Sequence, residues 1–122
     1  MMKVIDLKEN IEKEFTRRLV ERFEPIIERV IFFGSRAQGK AKPWSDYDLL
    51  IVLDKREPQT IDEIYELVTE FQLNYRVDIS LKIYGKDDFE RKNALQIPFF
   101  NRIQKTGIIL WSRYQKNLSE AK

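Results

Sequence analysis

The sequence predicts an α/β (α+β) domain in which a mixed sheet of about four strands packs against helices. Three observations support this fold class. Helical and extended segments alternate along the chain in the order α, β, α, β, α, β, α, β. Apolar residues recur every four positions in the helical segments and form short or alternating runs in the extended ones. The length of 122 residues fits one domain, 1–122, with a core of its own.

The N-terminal part of the chain predicts a helix, a buried strand and a short helical turn. The helix has an apolar face and ends by Pro25; that face consists of Leu7, Ile11, Phe15, Leu19 and Phe23. Residues 30–33 form a continuous apolar run, which is typical of a buried strand, and Gly34 ends it. Residues 35–38 predict one helical turn, and the loop that follows contains Pro43.

The middle of the chain predicts a second strand and a second long helix. Residues 46–53 read as the strand, and the apolar residues 49–53 are its buried part. Thr60 and Glu63 form the T-x-x-E pattern of a capping box, which predicts the start of a helix. The apolar residues expected to face the core are Ile61, Ile64, Tyr65, Val68 and Phe71.

The last third predicts two strands separated by a broken helix. Residues 77–83 alternate apolar and polar side chains, the pattern of a half-buried strand; its polar positions are Asp78, Ser80 and Lys82. Residues 88–105 look helical but break before Pro98, because proline disfavours helix in the residue that precedes it. Residues 108–111 predict a last short strand.

Composition and charge limit the chemistry. The chain has no cysteine and no histidine, which excludes disulfides, zinc–thiolate sites, cysteine nucleophiles and imidazole bases. Carboxylates then favour hard ions such as Mg²⁺ or Mn²⁺. No apolar run is long enough to cross a membrane, and no signal peptide is recognisable at the N-terminus, so we expect a cytoplasmic protein without membrane contact.

Basic residues are concentrated in the C-terminal part of the chain. Residues 91–122 carry seven of them against the single acidic Glu120; the seven are Arg91, Lys92, Arg102, Lys105, Arg113, Lys116 and Lys122. Contact with nucleic acid, contact with an acidic partner and a simply solvated surface are all consistent with this pattern.

Candidate site residues lie at the ends of the predicted strands. Gly34 lets the backbone approach a ligand, and Ser35 adds a hydroxyl donor, so the corner suits a phosphate. Asp46 and Asp48 leave the same strand face, where two carboxylates repel each other unless a cation or proton lies between them. Asp78 occupies a mid-strand position that is unusual for aspartate. Each element alone is also explained by a turn or a solvated surface.

Taken together, these residues suit phosphoryl-type transfer. If the third strand pairs with the second, Asp78 comes beside Asp46 and Asp48. Three carboxylates can hold two magnesium ions, and the glycine–serine corner supplies neutral donors to the terminal phosphates. Such a transfer needs mainly positioning and charge neutralisation, so the set suffices without histidine.

The motif spacing resembles a known family. Gly34-Ser35, ten intervening residues and Asp46-Tyr47-Asp48 match the G-S-x10-D-x-D signature of the DNA polymerase β-like nucleotidyltransferase superfamily. The longer stretch GSRAQGKAKPWSDYDLLIVLD resembles the minimal nucleotidyltransferases, or MNT family. Residues 76–79 are similar to the segment that carries the third aspartate of that family, and residues 103–111 to its C-terminal segment. The resemblance covers roughly residues 10–112.

The resemblance implies a nucleotidyltransferase fold and a Mg²⁺-dependent enzyme with ATP as substrate. It implies that Asp46 and Asp48 bind both metal ions, with Mn²⁺ as an alternative to Mg²⁺. Asp78 would bind the catalytic metal and help to deprotonate the acceptor hydroxyl. Gly34 and Ser35 would hold the β- and γ-phosphates.

Further residues of the motif are candidates for phosphate contacts. Arg36 and Ser45 lie inside it, and a plain surface position is the alternative for Arg36. The loop side chains Lys40, Lys42 and Trp44 could meet phosphate or base, but a solvated loop is the favoured interpretation for each.

The family also suggests a partner. Its members are commonly encoded beside a helical HEPN ribonuclease toxin and act as antitoxins that transfer AMP from ATP to tyrosines of the toxin. The acceptor would come from a partner, a second copy or a small molecule, so a homo-oligomer stays open. The alternative is a non-catalytic toxin-binding module with a vestigial nucleotide site, whose surface would comprise Phe99, Phe100, Trp111, Tyr114 and the basic C-terminal segment. The sequence leaves the acceptor and the base preference open.

Overall fold

Residues 10–114 are described by a computed structural model. Its strands are β1 (Ile27–Phe33), β2 (Tyr47–Leu53), β3 (Ile79–Gly85) and β4 (Ile108–Ser112). Its helices are α1 (Ile11–Phe23), α2 (Gly34–Ala37), α3 (Pro58–Tyr75), α4 (Lys86–Ala94) and α5 (Pro98–Thr106), with a 3-10 turn at Glu24–Ile26. The strands form one sheet in the order β3-β2-β1-β4. The predicted α/β class and the four-stranded mixed sheet are confirmed.

The pairing of the strands brings three strand ends to one end of the sheet. β1 lies between β2 and β4 and is antiparallel to both, whereas β2 and β3 are parallel. The parallel pair requires a crossover, which α3 provides. Phe33 pairs with Asp48, and Asp48 pairs with Ser80. The end of β1 therefore meets the beginnings of β2 and β3.

Apolar side chains pack on both faces of the sheet. On one face α1 and α3 cover the larger cluster, in which the fully buried rings of Phe15 and Phe71 meet edge to face at 5.3 Å. On the other face α4 and α5 contribute Phe89, Phe100 and Ile103 to a smaller cluster. Residues 49–53 of β2 are fully buried between the two clusters. Burial on both faces explains why this strand is a continuous apolar run.

The start of α3 differs from the prediction. The helix begins at Pro58, and Glu57 is its N-cap without a side-chain hydrogen bond. The predicted capping box at Thr60 and Glu63 is therefore wrong. Proline fits the first helical position, because its fixed φ is already helical and it has no N–H to satisfy there. The helix consequently starts three residues earlier than the capping pattern indicated, at Pro58 instead of Ile61.

The strand boundaries also differ at the polar ends. β2 begins at Tyr47 and β3 at Ile79, so Asp46 and Asp78 precede their strands instead of lying within them. β1 begins at Ile27, before the apolar run, because its first residues pair through a bulge that the sequence pattern does not reveal. The helix break before Pro98 is confirmed. Leu7, predicted in the first helix, lies outside the described residues.

Part of the basic C-terminal segment is neutralised within the chain. Arg91 and Lys92 pair with Asp88, and Arg113 pairs with Asp54. Lys116 and Lys122 lie outside the described residues. None of the helices between residues 10 and 114 has the length and hydropathy of a membrane span.

The contact between Phe15 and Phe71 predicts a large stability effect. Phe71→Ala is expected to lower the free energy of unfolding by about 3–5 kcal/mol, because it empties a fully buried site. Leu73→Ala is the control in the same helix; this side chain is 75% exposed, and a change within about 0.5 kcal/mol is expected. Urea unfolding measures both. Equal shifts in the two variants would contradict the packing described.

Candidate active site

The predicted site residues lie at the end of the sheet where β1 ends and β2 and β3 begin. Gly34 and Ser35 are the first residues of α2, directly after β1. Asp48 is the second residue of β2, and Asp46 precedes that strand. The backbone N–H of Tyr47 donates a 2.8 Å hydrogen bond to the carbonyl of Asp78. This hydrogen bond extends the parallel pairing of β2 and β3 to the residue before β3, so Asp46 and Asp78 occupy neighbouring positions.

Gly34 lies directly against the carboxylate of Asp48. A Cβ built on Gly34 would stand 2.1 Å from Oδ2 of Asp48 and 2.9 Å from its Cγ. The φ of Gly34 is +82°, a left-handed conformation that glycine adopts without steric cost. Space and backbone conformation therefore both require glycine here, and the first residue of the motif makes room for its last aspartate.

The surroundings of Asp48 are those of a partly buried acid beside a second acid. Burial is the largest effect that raises the pKa of Asp48, and the negative charge of Asp46 raises it further. A hydrogen bond from the Ser80 hydroxyl and the positive charge of Lys82 act in the opposite direction. A cation between Asp46 and Asp48 would relieve the repulsion between the two carboxylates.

Ser80 and Lys82 are site residues that the sequence reasoning missed. Both stand on the face of the sheet that carries Asp48, because Asp48 pairs with Ser80 and strand residues two apart share a face. The alternation along residues 77–83 marked them only as a polar face. The register between β2 and β3 was needed to place them beside the aspartate.

Aromatic side chains close the site toward the smaller apolar cluster. Phe33 is the cross-strand neighbour of Asp48, and its ring packs edge to face on Phe99 of α5 at 5.5 Å. The ammonium of Lys82 lies 5.5 Å from the centroid of the Phe99 ring. On the face that carries Asp48, the site therefore borders on the smaller apolar cluster.

Arg36 and Ser45 hold the loop between α2 and β2. The Nε of Arg36 donates a 2.9 Å hydrogen bond to the Ser45 carbonyl, and its Nη2 lies 3.2 Å from the carbonyl of Pro43. The backbone N–H of Lys42 donates to the Ser45 hydroxyl at 2.9 Å. The predicted phosphate contacts of Arg36 and Ser45 stay predictions. The loop side chain of Trp44 is 75% exposed, which agrees with a solvated loop.

The acidic residues fit a hard divalent cation by donor type. Asp46 and Asp48 are close enough to influence each other electrostatically, and both offer carboxylate oxygens, which Mg²⁺ prefers. Within residues 10–114, no group of three or more acidic, histidine or cysteine side chains is arranged to hold a metal ion. The structure thus brings two of the predicted ligands together. It places Asp78 beside them along the backbone, with this residue exposed.

Sequence comparison gives a clear family match. The family model described as nucleotidyltransferase domain matches residues 12–100. A candidate protein adenylyltransferase of Methanocaldococcus jannaschii is 30% identical over 104 residues, which span 85% of this chain and 98% of that protein. The region matched by the family model, residues 12–100, includes all seven of the predicted site residues.

Solved structures share the fold at lower sequence identity. A toxin–antitoxin complex with AMP-PNP superposes with a TM-score of 0.59 at 18% identity, over 89% of this chain and 80% of that one. A Shewanella oneidensis complex of a tri-AMPylated HEPN toxin with its MNT antitoxin gives a TM-score of 0.53 at 15% identity, over 93% and 80% of the two chains. At these identities the structures support the fold alone.

The contact between Gly34 and Asp48 predicts a difference between two glycine variants. Gly34→Ala and Gly39→Ala both place alanine at a positive φ, +82° and +73°, which costs about 1–2 kcal/mol in each case. Only Gly34→Ala sets a Cβ against Asp48, since nothing lies within 4 Å of a Cβ at Gly39. We expect Gly34→Ala to lose binding of a non-hydrolysable ATP analogue and Gly39→Ala to retain it.

Calorimetric titration measures that binding, and thermal unfolding confirms that both variants are folded. Wild-type affinity in Gly34→Ala would show that the close approach to Asp48 does not matter for the nucleotide.

Proposed function

Since the chain belongs to the nucleotidyltransferase domain family, we propose that it transfers AMP from ATP to a hydroxyl group. The acceptor is a tyrosine of a HEPN toxin, and Mg²⁺ is the cofactor. The observation that best supports this proposal is the packing of the Asp48 carboxylate against Gly34, with Asp46 beside it. This arrangement sets the candidate phosphate-binding corner of Gly34 and Ser35 against a pair of carboxylates. The reaction would take place in the cytoplasm, where ATP and Mg²⁺ are available.

The nucleotide is held by the corner after β1. Ser35 offers its hydroxyl, and the open backbone at Gly34 lets the β- and γ-phosphates come close. Lys82 stands on the same face as Asp48 and offsets part of the negative charge of a triphosphate. Arg36 and Ser45 shape the loop beside these phosphates.

The proposed ligands of the metal ions are the three aspartates. Asp46 and Asp48, with Asp78, would hold two Mg²⁺ ions, and Mn²⁺ could replace them because it accepts the same oxygen ligands. Bound there, Mg²⁺ supplies charge neutralisation for the triphosphate and for the attacking oxygen. The repulsion between Asp46 and Asp48 supports this assignment.

The transfer itself exchanges one phosphorus–oxygen bond for another. The acceptor oxygen forms a bond to the α-phosphorus of ATP, the bond from that phosphorus to the β-phosphate oxygen breaks, and pyrophosphate leaves. The proton of the acceptor hydroxyl passes to the carboxylate of Asp78. Asp78 suits this role because it is exposed at the end of the sheet, where an acceptor can reach it.

Two observations support a protein acceptor. The Methanocaldococcus jannaschii relative bears a name that assigns it to the protein adenylyltransferases, and the Shewanella oneidensis complex pairs an MNT antitoxin with an AMPylated toxin. The non-catalytic alternative needed an aromatic contact surface. Two of its four rings serve the interior, since Phe100 is 3% exposed and Phe99 packs against it and Phe33, whereas Tyr114 is 58% exposed.

Removal of the aspartate pair is expected to abolish transfer. The variant Asp46→Ala/Asp48→Ala should add no AMP to the helical protein encoded next to this one, because it lacks the carboxylates that hold the metal. The wild type should add one or more AMP groups to tyrosine. Mass spectrometry after incubation with ATP and Mg²⁺ measures both.

A matched control removes two exposed aspartates far along the chain from the motif. Asp62→Ala/Asp87→Ala loses the same charge and should transfer AMP like the wild type. AMP addition by the Asp46→Ala/Asp48→Ala variant would contradict the proposal. A variant that still neutralises the partner without adding AMP would support the binding-module alternative.

Removal of divalent cations is expected to stop the transfer reversibly. A chelator should reduce AMP addition to background, and Mg²⁺ or Mn²⁺ should restore it, because oxygen ligands suit these ions. The thermal unfolding midpoint should be lower in chelator, because an ion that binds only the folded protein stabilises it, so the assay temperature is kept below this midpoint. Undiminished transfer in excess chelator would exclude the role assigned to the metal.

A further inference from the structure

We propose that Arg36 is a positioning residue that fixes Asp46 at the reacting centre by holding the residues on both sides of it. The kinetic consequence of this role rests on the proposed function, but the contacts do not. Asp46 is exposed and lies between the loop and β2. Its place in space therefore depends on how firmly its two neighbours are held.

On the N-terminal side, Arg36 binds the loop through backbone carbonyls. Its Nε donates to the Ser45 carbonyl at 2.9 Å, and its Nη2 points at the carbonyls of Pro43 at 3.2 Å and Lys42 at 3.4 Å. The loop adds bonds of its own, because Ser45 donates its N–H to the Lys42 carbonyl at 3.0 Å. The residue before Asp46 is thus tied to α2.

On the C-terminal side, the same guanidinium lies over the ring of Tyr47. The centre of the guanidinium is 4.2 Å from the ring centroid, a close cation–π contact. Tyr47 is 5% exposed, and its N–H donates to the Asp78 carbonyl. One side chain therefore contacts both neighbours of Asp46, and one of those neighbours is also bonded to Asp78.

The geometry requires arginine in particular. A guanidinium is planar, so it can lie flat on a ring while its edge donates hydrogen bonds from Nε and Nη2. The Nε carries one hydrogen, which the Ser45 carbonyl already accepts. Lysine keeps the positive charge but offers a single ammonium, which does not reproduce both contacts.

The role predicts a specific kinetic defect. Loss of the contacts would let Asp46 move, and a misplacement of about 1 Å can cost about a hundredfold in rate. The KM for ATP should change less than kcat, because Asp48, Gly34 and Ser35 still hold the metal and the phosphates. A phosphate ligand would behave differently, since loss of its charge would raise the KM for ATP.

The first experiment compares Arg36→Lys and Arg36→Gln in the AMP-transfer assay. Both variants should lose kcat by about tens- to a hundredfold, with a smaller change in the KM for ATP. Arg17→Lys is the control, because Arg17 lies on α1 and pairs there with Glu14 and Glu21. Near-normal kcat in Arg36→Lys, with a raised KM in Arg36→Gln, would assign the residue to phosphate binding and overturn the proposal.

The second experiment measures the loop without any catalysis. The chain has two tryptophans, and Trp111→Phe leaves Trp44, which lies in the loop that Arg36 holds. In this background Arg36→Lys and Arg36→Gln should lower the fluorescence anisotropy of Trp44, whereas Arg17→Lys should not. Thermal unfolding shows whether each variant is folded. If Arg36→Gln does not fold, the comparison of Arg36→Lys with the wild type decides the test.

The two experiments separate failure of this inference from failure of the proposed function. If the wild type transfers no AMP, the proposed function fails, and the anisotropy of Trp44 still decides whether Arg36 holds the loop. If the wild type is active and the anisotropy is the same in all variants, Arg36 does not position the loop, and the inference fails alone.

Discussion

The close packing of the Asp48 carboxylate on Gly34 is the constraint on which the rest of the site depends. It exists because β1 and β2 pair in a register that sets Phe33 opposite Asp48, so the chain turns at Gly34 directly beside the acid. A shift of that register by one residue would move every side chain of β2 to the other face. The buried residues on both faces of β2 resist such a shift, so the apolar core also fixes the position of the Asp48 carboxylate.

The order of the strands explains where polar residues of the site can stand. β2 is covered on both faces and admits a polar side chain only at its first residues. β3 is an edge strand, and it carries Ser80 and Lys82 on the face of Asp48. The parallel crossover through α3 is what brings this edge beside the aspartates. The site therefore combines one strand that supplies rigidity with one that tolerates charge.

Local patterns in the sequence were sufficient for the fold class and for the central motif. The continuous apolar run of β2 and the spacing from Gly34 to Asp48 are both local features, and both lie where they were predicted. Strand ends were less accurate, because pairing with a neighbouring strand, and not polarity, decides whether Asp46 or Asp78 belongs to a strand. The capping pattern failed because a proline upstream of it offered an earlier helix start.

The missed residues have a common physical reason. Ser80 and Lys82 join the site through the register of two strands that are distant in sequence. The hydrogen bonds of Arg36 go to backbone carbonyls. Every residue type has such a carbonyl, so no pattern of side chains in the sequence encodes these contacts. Contacts of this kind follow from the folded backbone and become visible only when it is known.

The three aspartates differ in exposure, and this difference suits the proposed reaction. Asp48 is partly buried and held by Gly34 and Ser80, whereas Asp46 and Asp78 are exposed. Burial of three unpaired carboxylates would cost far more than the fold could balance. A site with one partly buried acid and two exposed ones avoids that cost. The backbone of an exposed acid then has to be held by its neighbours, and Arg36 contacts both neighbours of Asp46.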